Sequence, residues 1–150
     1  MKKVIVTGGS GFIGSNLVKY LLQKKYFVIN IDNLSYSANP YNTKNLKKNK
    51  NYIFCKIDIN NKTKILKIFK KYKPIGIFNL AAETHVDRSI DSPQKFIESN
   101  ILGTYNLLEA IRKYKKGIKL LHVSTDEVYG DIIKGRSDEK FSYNPSSPYS

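Results

Sequence analysis

Residues 7–14, TGGSGFIG, carry the reading on which the rest of the chain depends. They join the apolar run KKVIVTG to a helical pattern over 12–24 that sets Ile13, Leu17, Leu21 and Leu22 on one face. The stretch satisfies two overlapping patterns, Gly9-x-Gly11-x-x-Gly14 and Gly8-x-x-Gly11-x-x-Gly14. Glycines so spaced allow a tight turn, let backbone approach a pyrophosphate, and let the following helix pack closely on a sheet. An anion held there meets free N–H groups at the positive end of that helix. A lone glycine pattern carries little weight, but this one has the strand–turn–helix setting the motif requires. The alternative is a glycine-rich turn that binds nothing. On the motif reading, Gly8, Gly11, Phe12, Ile13 and Gly14 line a dinucleotide site.

Working outward, FVINID (27–32) reads as a second strand ending in Asp32, 21 residues after Gly11. A carboxylate at that point meets a ribose 2′-hydroxyl and repels a 2′-phosphate, which argues for NAD over NADP. A polar loop with one helical turn follows, then a third strand, YIFCKIDI (52–59), and an amphipathic helix over 62–73 with Ile65, Ile68 and Phe69 inward. Asp58 and Ile59, closing that strand, are candidates for an adenine contact, and a plain helix-capping turn is an equal reading. PIGIFNLAA (74–82) is a fourth strand, and a long helix over 93–114 starts with Ser92 as N-cap and Pro93 at its first position. IKLLHVST (118–125) is a fifth strand, burying Leu120, Leu121 and Val123 and packing His122 among apolar neighbours; loop follows. Apolar strands alternating with helices predict an α/β fold, a doubly wound parallel sheet of the Rossmann kind with both faces covered. Ending in a loop after five strands, the sheet is expected to be incomplete at its C-terminus.

The formal net charge is +14, with 26 basic and 12 acidic residues. That balance raises a polyanion-binding reading. Against it, only Arg88, Arg112 and Arg136 are arginines, whereas base-reading sites favour arginine's fork. The lysines fall in TKNLKKNKN, NKTKILKIFKKYK and RKYKKGIK, which read as solvated helix faces and loops. No nucleic-acid partner is expected. Cys55 is the sole cysteine, so there is no disulfide framework, and a reduced, cytoplasmic setting follows. The two histidines and one cysteine lack ligand spacing, so no metal is expected. No apolar run reaches transmembrane length, and no membrane partner is expected.

STDEVYG (124–130) sets Asp126 and Glu127 side by side directly after the fifth strand. Read alone, it is a surface acid pair at a turn. Taken with TGGSGFIG, AAETHVDRSI (81–90) and SSPYS (146–150), it resembles the extended short-chain dehydrogenase/reductases, most of all the dTDP-glucose 4,6-dehydratases. The glycine motif is common to the whole superfamily, the two middle motifs are far more specific, and related epimerases typically lack the acid pair.

The resemblance implies an NAD-dependent lyase that removes water from dTDP-glucose. Hydride leaves C4 of the sugar for NAD, Glu127 removes the C5 proton, Asp126 protonates the departing C6 hydroxyl, and hydride returns at C6. One carboxyl must be ionised and the other protonated, so their surroundings must differ. Thr125 would hydrogen-bond the C4 oxygen, and Tyr149 would be the C4 base of a Tyr-x-x-x-Lys motif whose lysine lies past Ser150. Without that lysine a tyrosine is a poor base at neutral pH. The same resemblance puts Ala81, Ala82 and Thr84 beside the nicotinamide half of the cofactor and Asn100 near it, a helix-face asparagine being as fair a reading. It puts His85, Asp87 and Arg88 at the sugar or its phosphates. SPYS taken by itself is a loop tyrosine.

The expectation is therefore a partial NAD-binding domain over 1–150, with the C-terminal substrate domain outside the chain. Alone, it should bind NAD weakly at best and turn over negligibly; the longer form would be a homodimer serving deoxysugar pathways such as rhamnose synthesis. A dehydratase or epimerase of a UDP- or GDP-linked sugar is the alternative enzyme. A non-catalytic, basic, polyanion-binding domain is the alternative of another kind.

Overall fold

The computed structural model describes all 150 residues. Strands β1 (Lys3–Thr7), β2 (Phe27–Asp32), β3 (Tyr52–Lys56), β4 (Gly76–Asn79) and β5 (Lys119–His122) form one parallel sheet in the order β3-β2-β1-β4-β5. The chain starts at the centre, winds outward through β2 and β3, and returns to the other side of β1 for β4 and β5. This is the doubly wound Rossmann arrangement, and the winding reverses between β1 and β4, where such sheets hold their ligands.

Alternation along β1 sorts its side chains between the two faces. Val4 and Val6, with Val28, pack under Val18 and Leu21 of α1 (Phe12–Gln23). Ile5, with Ile29, Ile31 and Ile77, meets Ile65, Ile68 and Phe69 of α2 (Lys62–Tyr72) and Leu107 and Ala110 further along. Each fully buried side chain of this size stabilises by roughly 1.5–3 kcal/mol. Asn61 starts α2 by accepting a hydrogen bond from Lys64 N at 3.0 Å, and Lys73, left-handed at φ 52°, ends it.

Several expectations are corrected. A 3-10 helix over Pro40–Lys48 replaces the single turn read in the polar loop, with Asn39 as its cap. Val86–Asp91 forms a short helix, α3, where only a motif was seen. The long helix begins as α4 (Gln94–Phe96) on Pro93 with no side-chain cap, so Ser92 does not play that part. Its middle, Ile97–Gly103, is a π segment before α5 (Thr104–Tyr114) resumes ordinary turns. Ile13 is exposed and does not join the α1 core face. Strand β5 is a sheet edge, with Leu121 52% and Val123 41% exposed and His122 exposed too. No helix of the chain is long and apolar enough to cross a membrane.

Candidate functional site

At the carboxyl ends of the strands a polar network ties β1, β4 and β5 together. Thr7 Oγ1 accepts from Ala81 N at 3.3 Å and donates to Asn79 Oδ1. Asn79 therefore turns its NH₂ toward His122 Nδ1, 2.9 Å away, and that ring nitrogen accepts. His122 is thus the outer end of a cross-strand chain and not a core residue.

Above this network lies a cleft of about 330 Å³, within the size range of small-molecule sites. The glycine loop forms its floor. Gly8 has φ +67°, and a Cβ there would come within 2.6 Å of the Leu80 carbonyl oxygen. A Cβ on Gly14 would lie 2.1 Å from the Gly8 carbonyl oxygen, so only glycine lets α1 sit this close to the loop. Gly11 is the N-cap and offers no side chain, and no acidic residue occupies the first turn. The N–H groups of that turn, at Phe12, Ile13 and Gly14, are therefore left for an anion. All five loop residues predicted at the site line the cleft.

Asp32 lines one wall and is 6% exposed. Its Oδ2 accepts from Ser10 N at 2.9 Å and its Oδ1 from Leu34 N at 2.8 Å. Each oxygen keeps a further lone pair for a ligand hydroxyl. Asp58 turns away: its Oδ1 accepts from Asn60 N at 2.8 Å and its Oδ2 from Asn33 Nδ2 at 3.0 Å. That is the capping turn, while its neighbour Ile59 is buried and lines the cleft.

Ala81, Ala82 and Thr84 line the opposite wall. Asn100 lies behind it as a clamp: Oδ1 accepts from Glu83 N at 2.8 Å and Nδ2 donates to Glu83 O at 2.9 Å. The π segment, with its wider turn, carries Asn100 and sets the adjacent Ser99 on the cleft. His85 (φ 99°), Asp87 and Arg88 are exposed outside the lining, and the Arg88 guanidinium lies over the Tyr36 ring, 4.3 Å from its centre.

Thr125 caps a 3-10 helix over Asp126–Tyr129, accepting from Glu127 N at 3.2 Å. The two acids differ in setting, Asp126 being exposed and Glu127 half-buried. Asn144 braces this helix by donating its N–H to Val128 O at 3.0 Å, and Tyr143 packs against Tyr129. None of Thr125, Asp126 and Glu127 lines the cleft; Val123 and Ser124, directly before them, do, as does Tyr149, set edge-on to Phe96. Sequence reasoning missed Glu83, Ser99, Ser124 and the loop Ser35–Ser37–Ala38 as lining residues. The last of these follows Asp32 closely enough that its position was the available signal.

The chain matches the family model described as GDP-mannose 4,6 dehydratase over residues 5–150. It is 45% identical to the dTDP-glucose 4,6-dehydratase of Haemophilus influenzae, a match covering 100% of this chain and 48% of that protein. Among solved structures, the dTDP-glucose 4,6-dehydratase of Bacillus anthracis in complex with NAD is 43% identical, with a TM-score of 0.87, over 99% of this chain and 46% of that one. The UDP-glucose 4-epimerase of Thermus thermophilus in complex with NAD is 36% identical, with a TM-score of 0.86, over 98% and 46%. The chain spans about half the length of the curated relatives it matches.

Proposed function

The chain belongs to the GDP-mannose 4,6 dehydratase family, and from that premise we propose that it is the NAD-binding part of a nucleotide-sugar 4,6-dehydratase acting on dTDP-glucose. The observation that carries the reading is the cleft at the reversal point of the sheet, floored by backbone N–H groups and walled by Asp32. The residues present suit the cofactor. Glycines let the loop and α1 pack tightly enough to present the N–H groups of the first turn, and Asp32 has lone pairs to spare.

Bound in this cleft, NAD would accept hydride from C4 of the sugar and later return it at C6. Gly8, Gly11, Phe12, Ile13 and Gly14 hold its pyrophosphate, Asp32 its adenosine ribose, and Ile59 its adenine, with Asp58 shaping the turn that presents Ile59. Ala81, Ala82 and Thr84 line the other half, held in place by Asn100. Tyr149 takes the proton of the C4 hydroxyl while Thr125 donates to the C4 oxygen. Glu127 removes the C5 proton, which the C4 ketone acidifies. Asp126 gives its proton to the C6 hydroxyl, which departs as water. Glu127 then returns a proton to C5 as hydride arrives at C6, so the sugar ends as a 4-keto-6-deoxy sugar. Asp126 is exposed and Glu127 half-buried, and the two roles require bound substrate to hold one carboxyl protonated and the other ionised. His85, Asp87 and Arg88 border the sugar nucleotide, and in the full-length form a C-terminal substrate domain would complete the site and two copies would pair as a homodimer.

The test is thermal unfolding with NAD⁺ in large excess and NADP⁺ as control. A rise with NAD⁺ alone supports the reading, since ligand at 100 times its Kd adds about 2.7 kcal/mol. A cooperative transition moved equally by both nucleotides, or by NADP⁺ alone, overturns it; one moved by neither means that the fold stands without a working site. Likeness to a UDP-glucose 4-epimerase favours a second reading, inversion at C4 without loss of water. Product analysis separates the two, because only dehydration yields the 4-keto-6-deoxy sugar.

A further inference from the structure

Tyr36 stands in the loop after β2, between Ser35 and Ser37, both of which line the cleft beside Asp32. Its hydroxyl donates to the backbone carbonyl of Thr84 on the opposite wall. The Arg88 guanidinium lies over its ring, 4.3 Å from the ring centre. The two walls are otherwise separate loops, 48 residues apart at this contact. Each bends next to it through a non-glycine residue with positive φ, Leu34 (φ 62°) and His85 (φ 99°). Such conformations cost of order 1–3 kcal/mol and persist only where surrounding contacts fix them. Tyr36 is 51% exposed, so burial does not account for its placement.

We propose that Tyr36 is a positioning residue for the dinucleotide: it bridges the mouth of the cleft, setting the separation of its walls, with Arg88 holding the ring in place. The inference rests on the dinucleotide reading above. The loop of Tyr36 adjoins the adenosine side at Asp32, while Thr84 belongs to the wall assigned to the other half. A ligand that spans both walls depends on their separation, whereas AMP touches one wall only. Arg88 is thereby given a role through Tyr36 in addition to any contact with substrate.

The experiment measures Kd for NAD⁺ and for AMP on the 150-residue chain, comparing wild type, Tyr36→Phe and Arg88→Ala, with the exposed Tyr41→Phe as control. Tyr36→Phe keeps the ring and removes the bridging hydrogen bond, a net interaction that corresponds to about a fivefold change in Kd. The expected result is a rise of that size for NAD⁺ with Tyr36→Phe, a rise also with Arg88→Ala, and unchanged AMP affinity throughout. General loosening of the fold would weaken both ligands alike and would overturn the proposal. Unchanged NAD⁺ affinity in Tyr36→Phe overturns it alone. Failure of the wild type to bind NAD⁺ at any concentration overturns this proposal, and AMP binding that persists then locates the failure in the bridge between the walls and not in the adenosine side of the dinucleotide reading.

Discussion

Replacing Gly14 by alanine tests how the glycine loop is built. A Cβ at this position would lie 2.1 Å from the Gly8 carbonyl oxygen, 2.8 Å from Gly9 Cα and 2.9 Å from the Gly8 carbonyl carbon. The nearest contact is about an ångström short of the 3.0 Å that real Cβ atoms essentially never breach. All three neighbours are backbone, so no side chain can swing aside. Gly14 lies inside α1 with ordinary helical backbone, and alanine there would otherwise gain about 0.5–1 kcal/mol in helix propensity. Steric cost must overcome that gain, because either α1 slides along the sheet, disturbing Val18 and Leu21 in the core, or the loop opens. Overpacking of this kind costs about 3 kcal/mol, a large part of the roughly 5–15 kcal/mol that holds an ordinary domain together. Urea unfolding should show a lower midpoint with an unchanged slope, and NAD⁺ should no longer stabilise the variant. Gly117→Ala is the comparison: φ is +61° there, but the space is open, so only backbone strain of about 1 kcal/mol is expected and NAD⁺ binding should persist. Gly14→Ala within about 0.5 kcal/mol of wild type would refute the reasoning.

Phe69→Ala should cost about 3–5 kcal/mol in urea unfolding, since Phe69 is fully buried between the sheet and α5 with Tyr114 edge-on to it; a loss below about 1 kcal/mol would contradict that packing. Asp32→Ala strips acceptors from Ser10 N and Leu34 N, so it should lower stability by about 1–3 kcal/mol and abolish NAD⁺ binding; Asp32→Asn, which keeps one acceptor, should lie between, as calorimetry would show. Burial pushes the Cys55 thiol up, with Lys71 pulling the other way. Because the thiolate is the reactive form, less of it exists at any pH below the raised value, and alkylation at about pH 7–8 should be slower than in the urea-unfolded chain, the gap closing only at more alkaline pH. Equal rates across that range would remove that account.

Strand β2 was legible in full, because FVINID is short, rich in β-branched and aromatic residues, and bounded by polar loops. The ends of β3 and β4 were not. β4 pairs only from Val4↔Gly76 to Thr7↔Asn79, since β1 turns away at Gly8, and β3 stops at Asp32↔Lys56 for the same kind of reason. Strand length is thus set by the neighbour, which the local sequence does not record. The burial expected of Leu121 and Val123 failed because hydrophobic patterning shows which face is apolar, not whether anything covers it. The glycine loop and Asp32 could be found because their spacing is dictated by the geometry of one turn. The Tyr36–Thr84 bridge and the Asn100 clamp join residues 48 and 17 positions apart through backbone atoms, which leave no mark in residue type.

An all-parallel sheet has a cost during synthesis. Hairpins can close as soon as they emerge, but here β1 pairs with β2 across 24 residues, Lys3↔Phe27, and with β4 across 72, Val4↔Gly76. At ribosomal rates of about 5–20 residues per second, one edge of β1 waits roughly 4–14 s for its second neighbour. We expect a nascent chain arrested before β4 to be cut readily within the β1 region by protease, and one with β4 fully emerged to resist; equal cleavage would disprove this. The strand at the centre of the finished sheet is the first to appear, yet it gains its second neighbour only after β2 and β3 have had time to pair.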